Sequence, residues 1–200
     1  MNSVASKIFK LITSTSEKLS NQFFPDLSYD ENIFAKFGEN GYSKAYYFEY
    51  ISLIYSHISS ILFVKHPDKS LQISKELLLM LNMHFSERLS NLNDEYDLLN
   101  LLVSRTIQYD QNGDLKILAL NIQKRGYVFH GVYTANNPKE LLLNNSQLFY
   151  FWLKDPLSKE TPSEFDLNEN EMLDYKEFLN SYVEQIIPLG KDLIEILNEL

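Results

Sequence analysis

The chain has 200 residues, which is enough for one domain with a hydrophobic core of its own, and nothing in the composition requires a second domain. Its 27 acidic residues outnumber the 18 Lys and Arg residues, and the resulting net charge of −9 has the wrong sign for a protein that holds nucleic acid by neutralising phosphates. The absence of cysteine excludes disulfides, thiolate nucleophiles and cysteine-ligated zinc or iron–sulfur clusters, and it is compatible with a cytoplasmic location.

The first predicted element is an amphipathic helix over residues 3–22. Its apolar side chains recur at helical spacing, and they are Val4, Ile8, Leu11, Ile12 and Leu19. Lys7 and Lys10 interrupt any longer apolar run, so the segment lacks the continuous hydrophobic stretch of a secretory signal. We therefore expect this helix to pack on the rest of a cytoplasmic domain.

The second predicted helix, residues 45–64, is apolar on nearly every side. A surface helix keeps a polar face, so this pattern predicts a buried central helix around which the other helices pack. Ser43 is its predicted N-cap. Glu49 and His57 make the stretch a poor membrane-spanning segment, and we expect no association with a membrane. The apolar positions are Tyr46, Tyr47, Tyr50, Ile51, Leu53, Ile54, Ile58, Ile61, Leu62, Phe63 and Val64.

A third helix is predicted over residues 70–89, with a well-defined inward face. That face consists of Ile73, Leu77, Met80, Leu81 and Phe85. His84 falls beside it, and a lone histidine in such a place is usually a hydrogen-bonded core residue; the same interpretation applies to His57. No Glu-x-x-His sequence occurs in the chain, which disfavours a ferritin-like di-iron bundle.

A fourth helix is predicted from caps at Asn93 and Asp94 to about Ile107. Its inward residues are expected to be Tyr96, Leu98, Leu99, Leu101, Leu102 and Val103. Two interpretations of the next stretch, near residues 105–134, remain open. Asn112-Gly113 is a hairpin signal and predicts a small β-hairpin or meander, whereas the spacing of the apolar residues from Leu115 to Tyr133 favours a helix.

The remaining chain predicts one helix over residues 141–153 and a final helix that runs to the C-terminus. We therefore expect a single domain over residues 1–200, all-α or mainly α, built as a multi-helix bundle around residues 45–64.

The first candidate site is an Arg followed five positions later by a His, at Arg125 and His130. This spacing resembles the Arg-x4–6-His motif of the HEPN superfamily, whose members are helical bundles and often metal-independent ribonucleases that dimerise to build their active site. The resemblance implies that His130 acts as a general acid or base on a ribose 2′-hydroxyl and that Arg125 stabilises phosphate charge. The alternative is a surface Arg and a partly buried His. Gly126 departs from the family pattern, in which a polar residue usually follows the Arg.

The second candidate site lies between Asp166 and Glu177 and resembles an EF-hand calcium loop. The resemblance implies oxygen ligands from Asp166, Asn168, Asn170 and Glu177. Glu171 occupies the position at which the family has its turn-forming glycine. The alternative is an acidic first turn of the last helix. These side chains would then cap backbone amides and interact favourably with the positive end of the helix dipole, without a metal.

No nucleophile elbow, phosphate-binding glycine loop or zinc-protease motif occurs, so an enzyme would depend on Arg125 and His130 alone. We therefore favour an acidic helical interaction protein of the inhibitor, immunity or antitoxin type, whose partner is a basic protein and which needs no cofactor. The alternatives are a HEPN-like ribonuclease acting on RNA as a homodimer and a calcium-responsive helical module.

Overall fold

The computed structural model describes residues 3–22, 35–38, 41–110 and 149–160, together with residues 175, 178, 184, 192 and 195–199. These residues form a multi-helix bundle, and none of them lies in a β-strand. The all-α prediction is therefore confirmed for this part of the chain, whereas the choice between helix and hairpin for residues 111–134 falls outside it. The main helices are α1 (Val4–Gln22), α2 (Tyr42–Lys65), α3 (Pro67–Arg88), α4 (Ser90–Tyr96) and α5 (Leu98–Asp110).

Helix α2 is the centre of the bundle, as its sequence predicts. It packs against α1, α3 and α5 at once, so apolar residues on all of its sides find partners. Among the described side chains, Phe63 departs from the prediction, since it is 53% exposed near the C-terminal end, and Tyr47 is only partly buried. No described helix is long and apolar enough to cross a membrane. The buried apolar residues of α2 are Ala45, Tyr46, Phe48, Tyr50, Ile51, Leu53, Ile54, Tyr55, Ile58, Ile61 and Leu62.

Helices α1 and α3 are amphipathic and cover two sides of α2. Each buries one face, and they also contact each other. Helix α3 begins three residues earlier than predicted, because Pro67 occupies its first turn, where the missing N–H costs nothing. Its predicted inward face is confirmed, with Met80 only partly buried. The buried apolar residues are Ala5, Ile8, Ile12 and Leu19 on α1 and Ile73, Leu77, Leu81 and Phe85 on α3.

The start of α2 differs from the prediction. Ser43 lies inside the helix, and Gly41 occupies the N-cap position without a side-chain cap. Gly41 allows a close approach, because a Cβ at this position would lie 2.1 Å from the carbonyl oxygen of Phe37. Gly38 adopts a left-handed φ of 69°, which favours glycine. Backbone geometry therefore fixes the start of α2.

The predicted fourth helix is wrong as a single element, since it is divided into α4 and α5 at Asp97. This residue adopts a left-handed φ of 50° and ends α4, and its side chain then caps the next helix. Its Oδ1 accepts from the Asn100 N–H at 3.4 Å, and its Oδ2 accepts from Asn100 Nδ2 at 2.6 Å. The turn at Asp97 changes which face of α5 is buried. Val103, which was predicted to face inward, is therefore 40% exposed.

Candidate functional site

The two sites predicted from the sequence lie outside the described residues. This holds for Arg125 and His130, and also for the four predicted calcium ligands Asp166, Asn168, Asn170 and Glu177. Both sites remain predictions. Among the residues that the structure describes, no three His, Asp or Glu side chains lie close enough together to hold a metal ion.

A buried ion pair joins the central helix to α5. Glu49 of α2 and Arg105 of α5 are both fully buried, and they make a two-pronged contact. Arg105 Nε donates to Glu49 Oε2 and Arg105 Nη2 donates to Glu49 Oε1, each at 3.1 Å. Such a pair costs desolvation energy, which only good geometry and further hydrogen bonds offset.

The further hydrogen bonds come from the segment of residues 149–160, which the ion pair holds against the bundle. Glu49 Oε1 accepts from the Leu157 N–H at 2.9 Å, and Arg105 Nη2 donates to the Ser158 carbonyl at 2.7 Å. The Arg105 guanidinium also lies 4.0 Å from the centre of the Trp152 ring. Leu157 has a left-handed φ of 62°, which is unfavourable for a residue with a branched side chain. The hydrogen bonds of residues 157 and 158 with Glu49 and Arg105 stabilise this backbone conformation. We call this arrangement the Glu49–Arg105 clamp.

An aromatic cluster continues from this segment to the last part of the chain. Tyr150 lies 5.3 Å from Tyr175 and 5.2 Å from Phe178, measured between ring centres, and Phe149 lies 6.0 Å from Phe178. Tyr175, Phe178 and Leu197 are all buried. The acidic side chains described in the same part of the chain, Glu184, Asp192, Glu195 and Glu199, are exposed. Tyr175, Phe178 and Leu197 are therefore packed on the bundle, whereas the carboxylates of Glu184, Asp192 and Glu195 are exposed and that of Glu199 pairs with Lys7 on α1.

A second feature is a cleft between α1, the start of α2 and the end of α3, which we call the His84 cleft. Its volume is about 280 Å³. At its base the Tyr47 hydroxyl and His84 Nε2 are 2.9 Å apart, and the His84 ring also meets the edge of Phe9. The other lining residues are Thr13, Glu17, Ser20, Asn21, Ser43, Lys44, Arg88 and Leu89. His84 is therefore hydrogen-bonded, as predicted, but it is half-buried beside the cleft and does not belong to the core.

The environment of the cleft shifts both titratable groups at its base. Burial lowers the pKa of His84 below its ordinary 6.5, and the positive charge of Arg88 lowers it further, whereas Glu87 and Glu17 raise it. Burial, together with the Glu17 carboxylate, raises the pKa of Tyr47 to about 12, and Arg88 opposes this. At neutral pH the imidazole is therefore uncharged, and it shares one hydrogen bond with the protonated Tyr47 hydroxyl.

Neither feature was predicted from the sequence, although a signal for the clamp is present in it. Glu49 is the only acidic residue of α2, and Arg105 is the only basic residue of α5. Charged residues are almost never fully buried unless they are paired. A lone acidic residue in one buried helix and a lone basic residue in another therefore predict an ion pair between the two helices. The cleft has no such signal, because its residues come from three helices whose relative positions the sequence does not reveal. Comparison of the chain with protein-family models, with curated proteins and with solved structures finds no match.

Proposed function

We propose that the protein is an acidic helical binding protein whose partner is a basic protein, and that its C-terminal fifth forms the binding surface. The observation that carries the proposal is the position of the charge. Residues 160–200 contain eleven acidic residues and two lysines, a net charge of −9. Residues 1–159 contain 16 acidic and 16 basic residues and are neutral. The whole net charge of the molecule therefore lies in its last 41 residues.

Charge that merely keeps a protein soluble can be spread over its surface, whereas charge that steers a partner is concentrated. The described acidic side chains of the C-terminal part support a role of the charge in steering a partner. Glu184, Asp192 and Glu195 are exposed and form no ion pair with any described residue, whereas Glu199 pairs with Lys7 on α1. Three carboxylates are thus available to a cationic partner.

Two described aromatic residues attach this region to the helical bundle. Tyr175 and Phe178 are buried against the 149–160 segment, which the Glu49–Arg105 clamp holds in turn. A surface that is ordered before binding loses less conformational entropy in the complex, and complementary charge speeds the encounter. This combination suits a protein that masks a basic surface, as inhibitors, immunity proteins and antitoxins do.

The test compares two variants with the same change in net charge. The first, Glu184→Gln/Asp192→Asn/Glu195→Gln, neutralises exposed carboxylates of the C-terminal part, and the second, Asp68→Asn/Glu87→Gln/Asp94→Asn, neutralises exposed carboxylates of the bundle. Binding to an immobilised peptide rich in lysine and arginine is measured at low and at physiological salt. We expect the first variant to lose most of the binding, the second to retain it, and salt to weaken binding of the parent protein. Equal losses in both variants would contradict the proposal.

The same two variants then identify the natural partner. Proteins captured from a cell extract by the parent protein and by the bundle variant, but not by the C-terminal variant, should have basic surfaces. Capture of the same set by all three proteins would show that the C-terminal charge does not select the partner.

A further inference from the structure

The His84 cleft contains two positively charged side chains. Lys44 lies on the first turn of α2 and Arg88 on the last turn of α3, and both side chains are exposed. Neither forms an ion pair with any residue that the structure describes. Both line the same space of about 280 Å³, which is the size of a small-molecule site. The cleft can therefore bind an anionic group of a small molecule.

The same cleft contains one acidic side chain, Glu17 of α1. Glu17 and Arg88 both act electrostatically on the Tyr47 hydroxyl, yet they form no ion pair with each other. The two opposite charges therefore border one open space and are not already neutralised by direct contact. A ligand with a positive and a negative group fits this arrangement better than a simple anion, which Glu17 would repel.

The base of the cleft is ordered and polar. Tyr47 and His84 are hydrogen-bonded to each other, and the contact of His84 with Phe9 ties the pair to α1. Whichever of the two groups donates in this hydrogen bond, the Tyr47 oxygen keeps a lone pair that can accept a hydrogen bond from a ligand. An acceptor at the base and a carboxylate on one wall both favour a ligand with an ammonium or hydroxyl donor.

We propose that the His84 cleft binds a small zwitterion, with its anionic group between Lys44 and Arg88 and its ammonium group against Glu17 and the Tyr47 hydroxyl. The proposal does not depend on the acidic binding surface, since it uses residues of α1, α2 and α3 only. Exposed ion pairs are weak individually, so we expect affinity for a small probe in the millimolar range.

The test uses two probes that differ in one group. Phosphoethanolamine has a phosphate and an ammonium group, whereas ethyl phosphate has the phosphate alone. Chemical-shift changes of the Tyr47 ring and the His84 imidazole, followed by NMR at constant ionic strength, give both dissociation constants. We expect phosphoethanolamine to bind about two- to fivefold more tightly, which is what one exposed ion pair supplies.

Three variants assign the contacts. Lys44→Gln/Arg88→Gln should weaken both probes, whereas the control Lys10→Gln/Lys75→Gln, which removes two exposed lysines outside the cleft, should change neither. Glu17→Gln should weaken the binding of phosphoethanolamine and strengthen the binding of ethyl phosphate. The preference for phosphoethanolamine should therefore disappear. Tyr47→Phe should weaken phosphoethanolamine more than ethyl phosphate.

Two results would overturn the proposal. One is equal binding of the two probes by the parent protein, which would show that the cleft binds the phosphate and does not recognise the ammonium group. The other is an equal loss in the cleft variant and in the lysine control, which would show that only the net charge matters.

Discussion

At the scale of single residues, Glu49 is the side chain on which most of the interior depends. It accepts two hydrogen bonds from Arg105 and one from the Leu157 N–H, and all three donors lose their acceptor if the carboxylate is removed. Leaving a buried guanidinium without its counter-charge costs about 3–5 kcal/mol. We therefore expect Glu49→Ala to lower the free energy of unfolding in urea by about that amount.

The control is an ion pair of the same kind at the surface. Lys36 Nζ and Asp155 Oδ1 are 2.9 Å apart, but both side chains are partly exposed, so Lys36→Gln should cost about 0–1 kcal/mol. Glu49→Leu/Arg105→Met should be less destabilising than Glu49→Ala, since neither charge then remains buried alone. If Glu49→Ala cost no more than Lys36→Gln, the clamp would not stabilise the fold.

A second prediction at this scale concerns the titration of His84. Because its pKa in the folded protein lies below the ordinary 6.5, the unfolded chain binds a proton first as the pH falls. The stability that His84 contributes is therefore complete above about pH 6.5 and is lost as the pH falls through the lowered pKa. Arg88→Gln should raise this pKa and Glu17→Gln should lower it further, as measured by NMR titration of the imidazole.

Lys75→Gln is the control for this titration, because Lys75 lies on α3 outside the cleft and should leave the pKa of His84 unchanged. Shifts of the same sign in the Arg88 and Glu17 variants would contradict the assignment of opposite electrostatic effects to these two residues.

At the scale of helices, Asp97 decides where α4 ends and α5 begins. Its left-handed backbone favours Gly or Asn over Ala, and its carboxylate caps α5 through Asn100. Asp97→Asn should therefore remain close to the parent protein, Asp97→Gly should lose only the cap, and Asp97→Ala should lose the cap and strain the backbone, at a cost of about 2 kcal/mol. Thermal unfolding of the three variants measures this order, and Asp97→Ala as stable as Asp97→Gly would contradict it.

The same scale shows how much of the fold is predictable from the sequence. The existence and inward faces of α1 and α3 follow from apolar periodicity, because each buries one regular face, whereas the central position of α2 follows from its lack of a polar face. The break at Asp97 cannot be predicted from apolar periodicity, because the apolar residues between Leu98 and Val103 continue the helical pattern. The left-handed conformation affects Asp97 alone and leaves no periodic signal. Ser43 has good capping chemistry, but the close approach of Gly41 to Phe37 starts the helix earlier.

At the scale of the whole molecule, the chain combines 159 residues without net charge with an acidic segment of 41 residues. The two are connected through residues 149–160, where the clamp and the aromatic cluster meet. Tyr175 and Phe178 of the acidic segment are buried, whereas its described exposed carboxylates contribute little to stability, because surface charges away from special contacts usually change it by less than about 0.5 kcal/mol. Stability and binding are therefore expected to be separable by mutation.

Phe178 provides the test of this separation. Its ring is buried against Phe149 and Tyr150, so Phe178→Ala should cost about 3 kcal/mol and should loosen the C-terminal part from the bundle. Limited proteolysis should then cleave the variant after about residue 160 faster than the parent protein, while binding of the basic peptide slows because the acidic surface is no longer ordered. Glu184→Ala, a substitution at an exposed position in the same part of the chain, should weaken peptide binding without any change in proteolysis. If Phe178→Ala left both the cleavage rate and the free energy of unfolding unchanged, the C-terminal part would not be held by its aromatic residues, and the acidic surface would act without support from the bundle.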